Sequence, residues 1–285
     1  MVLVAAGPIR AEPVRVVDAL GRGVVLAAPP RRIVTIFSSN TELVAALGLT
    51  DRIVGIDAFT RYPPDAAAKP VVGGRLGFSV EAIAAQNPDL VVLTPARQAV
   101  HQILDALERI GVPAVVLTSR TVTEVVENLR LLARATGVPE RGEALASGLE
   151  ARLGAVRERV ATRPCRRVVM VTGRLGNGLL LSARRDTYTG DAILRAGGCF
   201  ALSGNGAVPQ VSPEAVFAAD PDVLLLAGSA DEMAELARRP GFSGMRAVAA
   251  GHAHAVPRTE FLIPGPRTVA GIERLAGLLH PAGAP

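Results

Sequence analysis

Apolar and polar positions along this chain recur in one order: a short unbroken apolar run, a polar or glycine-containing break, then apolar residues at helical spacing. Arg32 to Phe37, Ile53 to Ile56, Leu90 to Val92 and Ala114 to Leu117 read as buried strands. Thr41 to Leu47, Gln98 to Ile110 and Thr123 to Thr136 read as helices closed by Gly48, Gly111 and Gly137, with Ser38-Ser39-Asn40 offering an N-cap to the first. The order returns after Pro164, with a strand at Arg167 to Thr172 and a helix at Gly190 to Ala196. A helix at Glu232 to Arg238, a strand at Ala253 to Val256 and a closing helix at Thr268 to Leu279 follow. Before all of this, Val14 to Ala27 reads as a hairpin turning at Gly21-Arg22-Gly23. Such β–α alternation predicts parallel sheets wound with right-handed crossovers.

One phrase occurs twice. Ser79-Val80-Glu81 leads through a short apolar-faced helix to Asn87-Pro88-Asp89 and the run from Leu90. Ser212-Pro213-Glu214 leads in the same way to Asp220-Pro221-Asp222 and the run from Val223. Each copy offers a serine cap, a glutamate in the first helical turn, a Pro-Asp break and a buried strand. Glu81 and Glu214 read, on spacing alone, as the acidic partners of capping boxes.

Two copies predict two similar lobes, with the crevice at the carboxyl ends of the strands as the place for a ligand. From Glu140 to Arg163 the apolar residues keep helical spacing with no proline before Pro164. One helix of that length spans roughly 35 Å, enough to join two lobes. The expected class is α/β: two Rossmann-like lobes with mainly parallel sheets joined by one long helix. The expected divisions are a tail and hairpin over 1–30, an N-terminal lobe over 31–138, the linker helix over 139–164 and a C-terminal lobe over 165–285.

Composition narrows the function. A hydrophobic content of 49% over 285 residues suits a globular chain, and no apolar run reaches the length of a membrane span. The formal charge of +5 comes from scattered arginines, Lys69 being the only lysine, so a nucleic-acid stripe is absent and no such partner is expected. Val2 to Ala6 with Ile9-Arg10-Ala11 reads equally as the end of a signal peptide or as an ordinary tail. Cys165 and Cys199 have neither CxxC nor His-paired spacing; a pair of buried thiols is expected, with a disulfide if the protein is exported. His252 and His254 have strand spacing that would let both face a metal, but no metal site is assigned to them. His101 opens a helix as a surface residue.

Taken in order, Val17-Asp18-Ala19-Leu20-Gly21-Arg22, Pro30-Arg31-Arg32-Ile33-Val34, Thr41-Glu42-Leu43, Tyr62-Pro63, Val72-Gly73-Gly74, both Pro-Asp phrases, Ala196-Gly197-Gly198 and Pro264-Gly265-Pro266-Arg267 resemble one family over nearly the whole chain. It is the helical-backbone periplasmic binding proteins of ABC importers, which capture cobalamin, haem and ferric siderophores. The resemblance implies a monomeric, extracytoplasmic, non-enzymatic carrier with no intrinsic cofactor. It would hold a cobalt or iron chelate between its lobes and pass it to ABC permease subunits, onto whose arginines Glu81 and Glu214 would dock. The Arg61-Tyr62-Pro63-Pro64-Asp65-Ala66 phrase is similar to cobalamin-binding members, so a corrinoid is the first expectation. Haem-binding members commonly place tyrosine where Gly74 stands here, although Tyr62 or Tyr188 could supply a phenolate instead.

The expected ligand-binding residues are Ser39, Asn40, Tyr62, Gly74, Arg75, Arg97, Arg174, Arg185, Tyr188, Phe261 and Arg267, the arginines for carboxylates or phosphate of an anionic chelate. The competing class is a nucleotide-dependent enzyme with two Rossmann-like lobes. Its support is the glycine-rich Gly173-Arg174-Leu175-Gly176-Asn177-Gly178 turn, although its spacing and the strand-like Leu179 to Leu181 after it favour a hairpin.

Overall fold

The computed structural model describes residues 12–74, 77–94, 100–202 and 210–281. They divide into two compact units, one holding the described residues up to Thr118 together with Asn128–Leu145, the other Ser119–Glu127 and the described residues from Ala146 onward. Residues 119–127, expected in the N-terminal lobe, therefore belong to the second unit.

In chain order the first part comprises β1 (Val14–Val17), β2 (Gly23–Leu26), β3 (Ile33–Thr35), α1 (Ser38–Ala46), β4 (Ile53–Asp57), α2 (Pro64–Ala67), β5 (Val71–Gly74), β6 (Gly77–Phe78), α3 (Val80–Ala84), β7 (Leu90–Leu93), α4 (Val100–Arg109), β8 (Ala114–Val116) and α5 (Val122–Ala135). Then come α6 (Pro139–Val160), β9 (Arg166–Arg174), β10 (Leu180–Ser182), α7 (Tyr188–Arg195), β11 (Gly198–Phe200), β12 (Gln210–Val211), α8 (Pro213–Ala219), β13 (Val223–Ala227), α9 (Ala230–Ala237), α10 (Arg246–Ala249), β14 (Ala253–Val256), α11 (Arg258–Phe261) and α12 (Arg267–Leu279). The long helix expected over 139–164 is the unbroken α6, which gives its first residues to one unit and the remainder to the other.

The first unit holds a sheet in the order β6-β5-β4-β3-β7-β8, parallel throughout except at the β5–β6 edge. The second holds β12-β10-β9-β13-β14, with β11 also on β9; there the β9, β11, β13 and β14 pairings are parallel and those of β10 antiparallel. Central strands of such sheets are covered on both faces, and side chains alternate between them. In β9 and β13 the alternation is complete. Val168, Met170, Val223 and Leu225 pack with α7 and α12 through Ile193 and Ile272, whereas Val169, Val171, Leu224 and Leu226 pack on the other face with Val216 of α8 and Met233 of α9.

The repeated phrase performs the same construction in both units. The Ser79 and Ser212 hydroxyls accept hydrogen bonds from the third helical N–H, of Ala82 at 3.0 Å and of Ala215 at 3.2 Å. Each phrase places a residue with positive φ immediately before its proline, Asn87 at 46° and Asp220 at 36°; Asp220 caps α8, whereas Asn87 lies beyond Ala85, the cap of α3. The following aspartate reaches back to the amino end of an interior strand, β3 in the first unit and β9 in the second. Asp89 accepts from the backbone N–H of Arg31 and Arg32, both at 2.8 Å, and Asp222 accepts from that of Arg167 at 2.9 Å. The same arginines return the contact to carbonyls just before each Pro-Asp corner: Arg32 Nη2 to Gln86 O and Arg167 Nη2 to Ala219 O, each at 2.6 Å.

Three local expectations are corrected. Ser38, Ser39 and Asn40 form the first turn of α1 and do not cap it; the cap position is Phe37, at φ 77°, with no side-chain cap bond. Glu81 and Glu214 stand two residues after their serine caps, one short of the capping-box position; the box forms instead at Ser229 with Glu232. Cys165 and Cys199 are joined in a disulfide, Cα–Cα 5.7 Å, that ties the start of β9 to β11, the parallel strand that the sequence reading missed.

The disulfide closes a separation of 34 residues, for which chain entropy gives about 4 kcal/mol of stabilisation. Cys165→Ser with Cys199→Ser is therefore expected to lower the melting temperature by on the order of 10 °C, with added reductant doing the same to the wild type. Equal melting curves in calorimetry would deny the bridge a stabilising role.

Candidate functional site

At the carboxyl ends of β3 and β4 the first unit buries polar side chains that a core would ordinarily exclude: Thr35, Ser39, Asn40, Thr41, Asp57 and Thr60. Thr35, Thr41, Asp57 and Thr60 satisfy one another. Asp57 Oδ1 accepts from the Phe59 N–H at 2.6 Å and Oδ2 from the Thr60 hydroxyl at 2.9 Å. The hydroxyls of Thr60, Thr41 and Thr35 continue the chain at 3.3 and 2.7 Å. The Asn40 amide donates to Ile36 O at 2.5 Å and to Thr94 Oγ1 at 3.2 Å. Ser39 and Asn40, expected as ligand contacts, are 8% and 1% exposed; they are the floor of this end of the sheet and not its open surface. A polar network closed in this way is rigid, because each member would leave a buried partner unsatisfied if it moved.

The β4–α2 loop stands on that floor. Tyr62 is 46% exposed and Phe59 57%, while the Arg61 guanidinium folds back onto Ala58 O and Thr60 O at 2.8 and 2.9 Å. Phe59 is the residue the sequence reading passed over; its signal is an aromatic two positions beyond the last residue of a buried strand. The Tyr62–Pro63 peptide is cis. Gly74 lies beside the same loop, where an added Cβ would come within 2.9 Å of the Ala58 Cβ. The loop packs closely against this glycine. Arg75 and Arg97 lie outside the described residues.

In the second unit the residues 182–189 wrap onto the start of α7. The Arg184 carbonyl accepts from the Thr187 hydroxyl at 2.7 Å, Thr187 caps α7, and a Cβ on Gly190 would collide with that carbonyl. Arg184 pairs with Asp186, and Arg185 lies over the Phe200 ring at 5.1 Å from its centroid. Tyr188, expected as an open ligand contact, is 9% exposed and forms part of the wall of a cavity of about 380 Å³ shared with Ser182, Thr189 and Leu262. Arg185 lines an adjoining space of about 520 Å³ with Arg120 and Asp191. Phe261 is corrected outright. It is fully buried in the core with Ile272 and Leu275, and only its carbonyl is used, accepting from Thr189 Oγ1 at 2.6 Å.

Arg174 is drawn to the side by Glu235, at 2.8 and 3.3 Å, and Arg267 is half-buried at the start of α12. The glycine-rich turn after β9 is a hairpin: Leu175 and Leu179 pair at 2.8 Å and β10 returns antiparallel, so no helix N-terminus faces it and the phosphate-loop reading loses its basis. Among the described residues no three of His, Cys, Asp and Glu gather as a metal site, and burial, followed by the neighbouring His252, holds His254 below the usual histidine range. No helix of the described residues is long and apolar enough to cross a membrane.

Glu81 and Glu214 are exposed at matching places on α3 and α8. Each carboxylate is held below the usual range by its own backbone N–H and then by its serine, Ser79 or Ser212. Both are therefore ionised well into mild acid, and no ion pair is formed by either among the described residues.

A family profile described as periplasmic binding protein matches residues 33–258. A cobalamin-binding protein of Halobacterium salinarum is 29% identical over 279 residues, covering 94% of this chain and 74% of its own. Among solved structures, a periplasmic haem-binding protein from Roseiflexus sp. RS-1 is 30% identical with a TM-score of 0.75, covering 87% of this chain and 97% of that one. A periplasmic vitamin B12-binding protein of Vibrio cholerae shares the fold at a TM-score of 0.77 and 24% identity, covering 88% of this chain and 97% of that one.

Asp57 is the keystone of the floor beneath the aromatic loop. Asp57→Ala removes the acceptor for two buried donors and is expected to cost about 2 kcal/mol. Urea unfolding should show the loss, and hydrogen exchange at Phe59 to Tyr62 should speed up; unchanged exchange there would mean the loop is held by something else.

Proposed function

Because this chain belongs to the periplasmic binding protein family, we propose that it captures cobalamin or a related corrinoid outside the cytoplasm and delivers it to the permease of an ABC importer. The observation that carries the ligand class is the pair of aromatic rings, Phe59 and Tyr62, held in water on a rigid buried polar floor. A corrin or porphyrin offers a broad apolar face, and covering such a face at about 25 cal/mol per Å² supplies affinity without any covalent chemistry from the protein. A fixed loop also loses little entropy on binding. The cobalamin-binding relative from Halobacterium, alike over most of both chains, supports the corrinoid over other chelates.

Haem is the second reading. It is supported by the Roseiflexus haem-binding protein and by Tyr62, an exposed phenol able to ligate iron, whereas Gly74 stands where the usual tyrosine would be. Ferric siderophores are carried by the same fold and are the third ligand to test. The disulfide supports an oxidising compartment, since such bonds are rare where thiols are kept reduced. Glu81 and Glu214, ionised and exposed on matching helices, are read as the acidic pair that meets arginines of the permease; charge complementarity of this kind sets register and encounter rate more than affinity.

Titration of the purified protein with cyanocobalamin, haemin and a ferric hydroxamate is expected to show tightest binding to cyanocobalamin. Preference for haemin would transfer the assignment to the second reading. Tyr62→Ala should weaken the preferred ligand by about tenfold in calorimetry, the scale of one stacked aromatic ring. The pair Glu81→Ala with Glu214→Ala should bind ligand normally and fail in uptake; undiminished uptake would remove both from docking.

A further inference from the structure

The seven phenylalanines of this chain sort by exposure. Phe242 and Phe261 are buried; Phe37, Phe78 and Phe200 are half-buried; Phe59 and Phe217 alone stand largely in water, at 57% and 48%. Phe59 belongs to the loop already assigned to ligand. Phe217 lies on α8, one turn beyond Glu214, so the ring and the carboxylate share a helix face. Between and beside them Ala215 and Ala218 are also exposed, leaving small residues around the ring over which another surface can approach closely.

We infer that Phe217 is the apolar anchor of the permease-docking surface, inserting beside the permease arginine that meets Glu214. The inference rests on the docking reading of Glu214 and adds to it what a carboxylate alone does not provide. Exposed charges steer and orient, whereas binding energy concentrates in a few aromatic side chains that are desolvated on contact. A single exposed apolar residue is ordinary on any surface. Here the surrounding comparison is internal. The two repeated phrases agree in the serine cap, the position of the glutamate, the positive φ before proline and the aspartate clamp, and they part at this position, where α3 carries the half-buried Ala84. The docking surface is therefore unequal: the α8 side supplies affinity and register, the α3 side register alone. The occupant fitted by this face is a membrane-embedded subunit presenting an arginine at the rim of a small apolar socket.

Binding of the full chain to its cognate permease in lipid nanodiscs tests this by interferometry. Phe217→Ala should weaken binding about tenfold or more, while Phe217→Leu stays within about threefold. Neither should alter melting temperature or cyanocobalamin affinity, because the ring is at the surface. If Phe217→Ala binds as the wild type does while the Glu81→Ala and Glu214→Ala pair loses binding, the anchor is refuted and the docking reading stands. Were the glutamate pair also to bind normally, both would fall. A wild-type dimer in analytical ultracentrifugation that Phe217→Ala turns into monomer would assign the face to a second copy of the chain and overturn the inference.

Discussion

The structure depends on a carboxylate that accepts backbone N–H groups from a strand far away in sequence. Asp89 does this for Arg31 and Arg32, and Asp222 for Arg167, each fixing the amino end of an interior strand, β3 or β9, beside the strand that its own repeat supplies. Parallel pairing offers no tight turn to set register. Something else must say where one strand begins relative to the next, and here a Pro-Asp corner says it. The chain entering the corner is held by the reverse contact from the same arginine side chain to Gln86 O in one repeat and Ala219 O in the other. Once the amino ends are aligned, the carboxyl ends are aligned too, and the loops that leave them start from fixed points.

From those points the first unit builds outward. Buried hydroxyls, an amide and Asp57 fill the end of the sheet, where apolar side chains would leave backbone donors of the turn without partners. The loop that carries Phe59 and Tyr62 is consequently anchored through Asp57 while both rings stand in water. In the second unit the equivalent loops are occupied with one another. Arg174 and Arg184 are paired with Glu235 and Asp186, and Arg185 lies over the Phe200 ring.

Much of this was legible in the sequence. The strand Ala253–Val256 and the unbroken α6 follow directly from apolar period, and both repeats from their serine caps and proline breaks. What escaped has identifiable causes. Strands β6 and β12 are two residues long and β5 and β11 contain glycine, so no unbroken apolar run marks them, and α2, α10 and α11 are single turns. Phe37 takes a left-handed backbone that its side chain disfavours, so serines read as a cap became the first turn instead. The capping boxes failed by one position: a glutamate at the second helical residue bonds its own N–H and its serine, not the N–H of the cap residue. Phe261 and Tyr188 were read as contacts because aromatics in loop-like stretches suggest ligands; a single-turn helix and the head of α7 carry them inward. Cys165 and Cys199 gave no pairing signal because β11, which brings them together, was itself invisible.

The contrast between the two tyrosines has an optical consequence. With no tryptophan in the chain, near-ultraviolet emission arises from Tyr62 and Tyr188 alone, one in water and one enclosed. The solvent-quenchable share of that emission belongs to the ring at the loop, so a chromophoric chelate settling there would dim a signal uncontaminated by indole, and the protein carries its own reporter of occupancy.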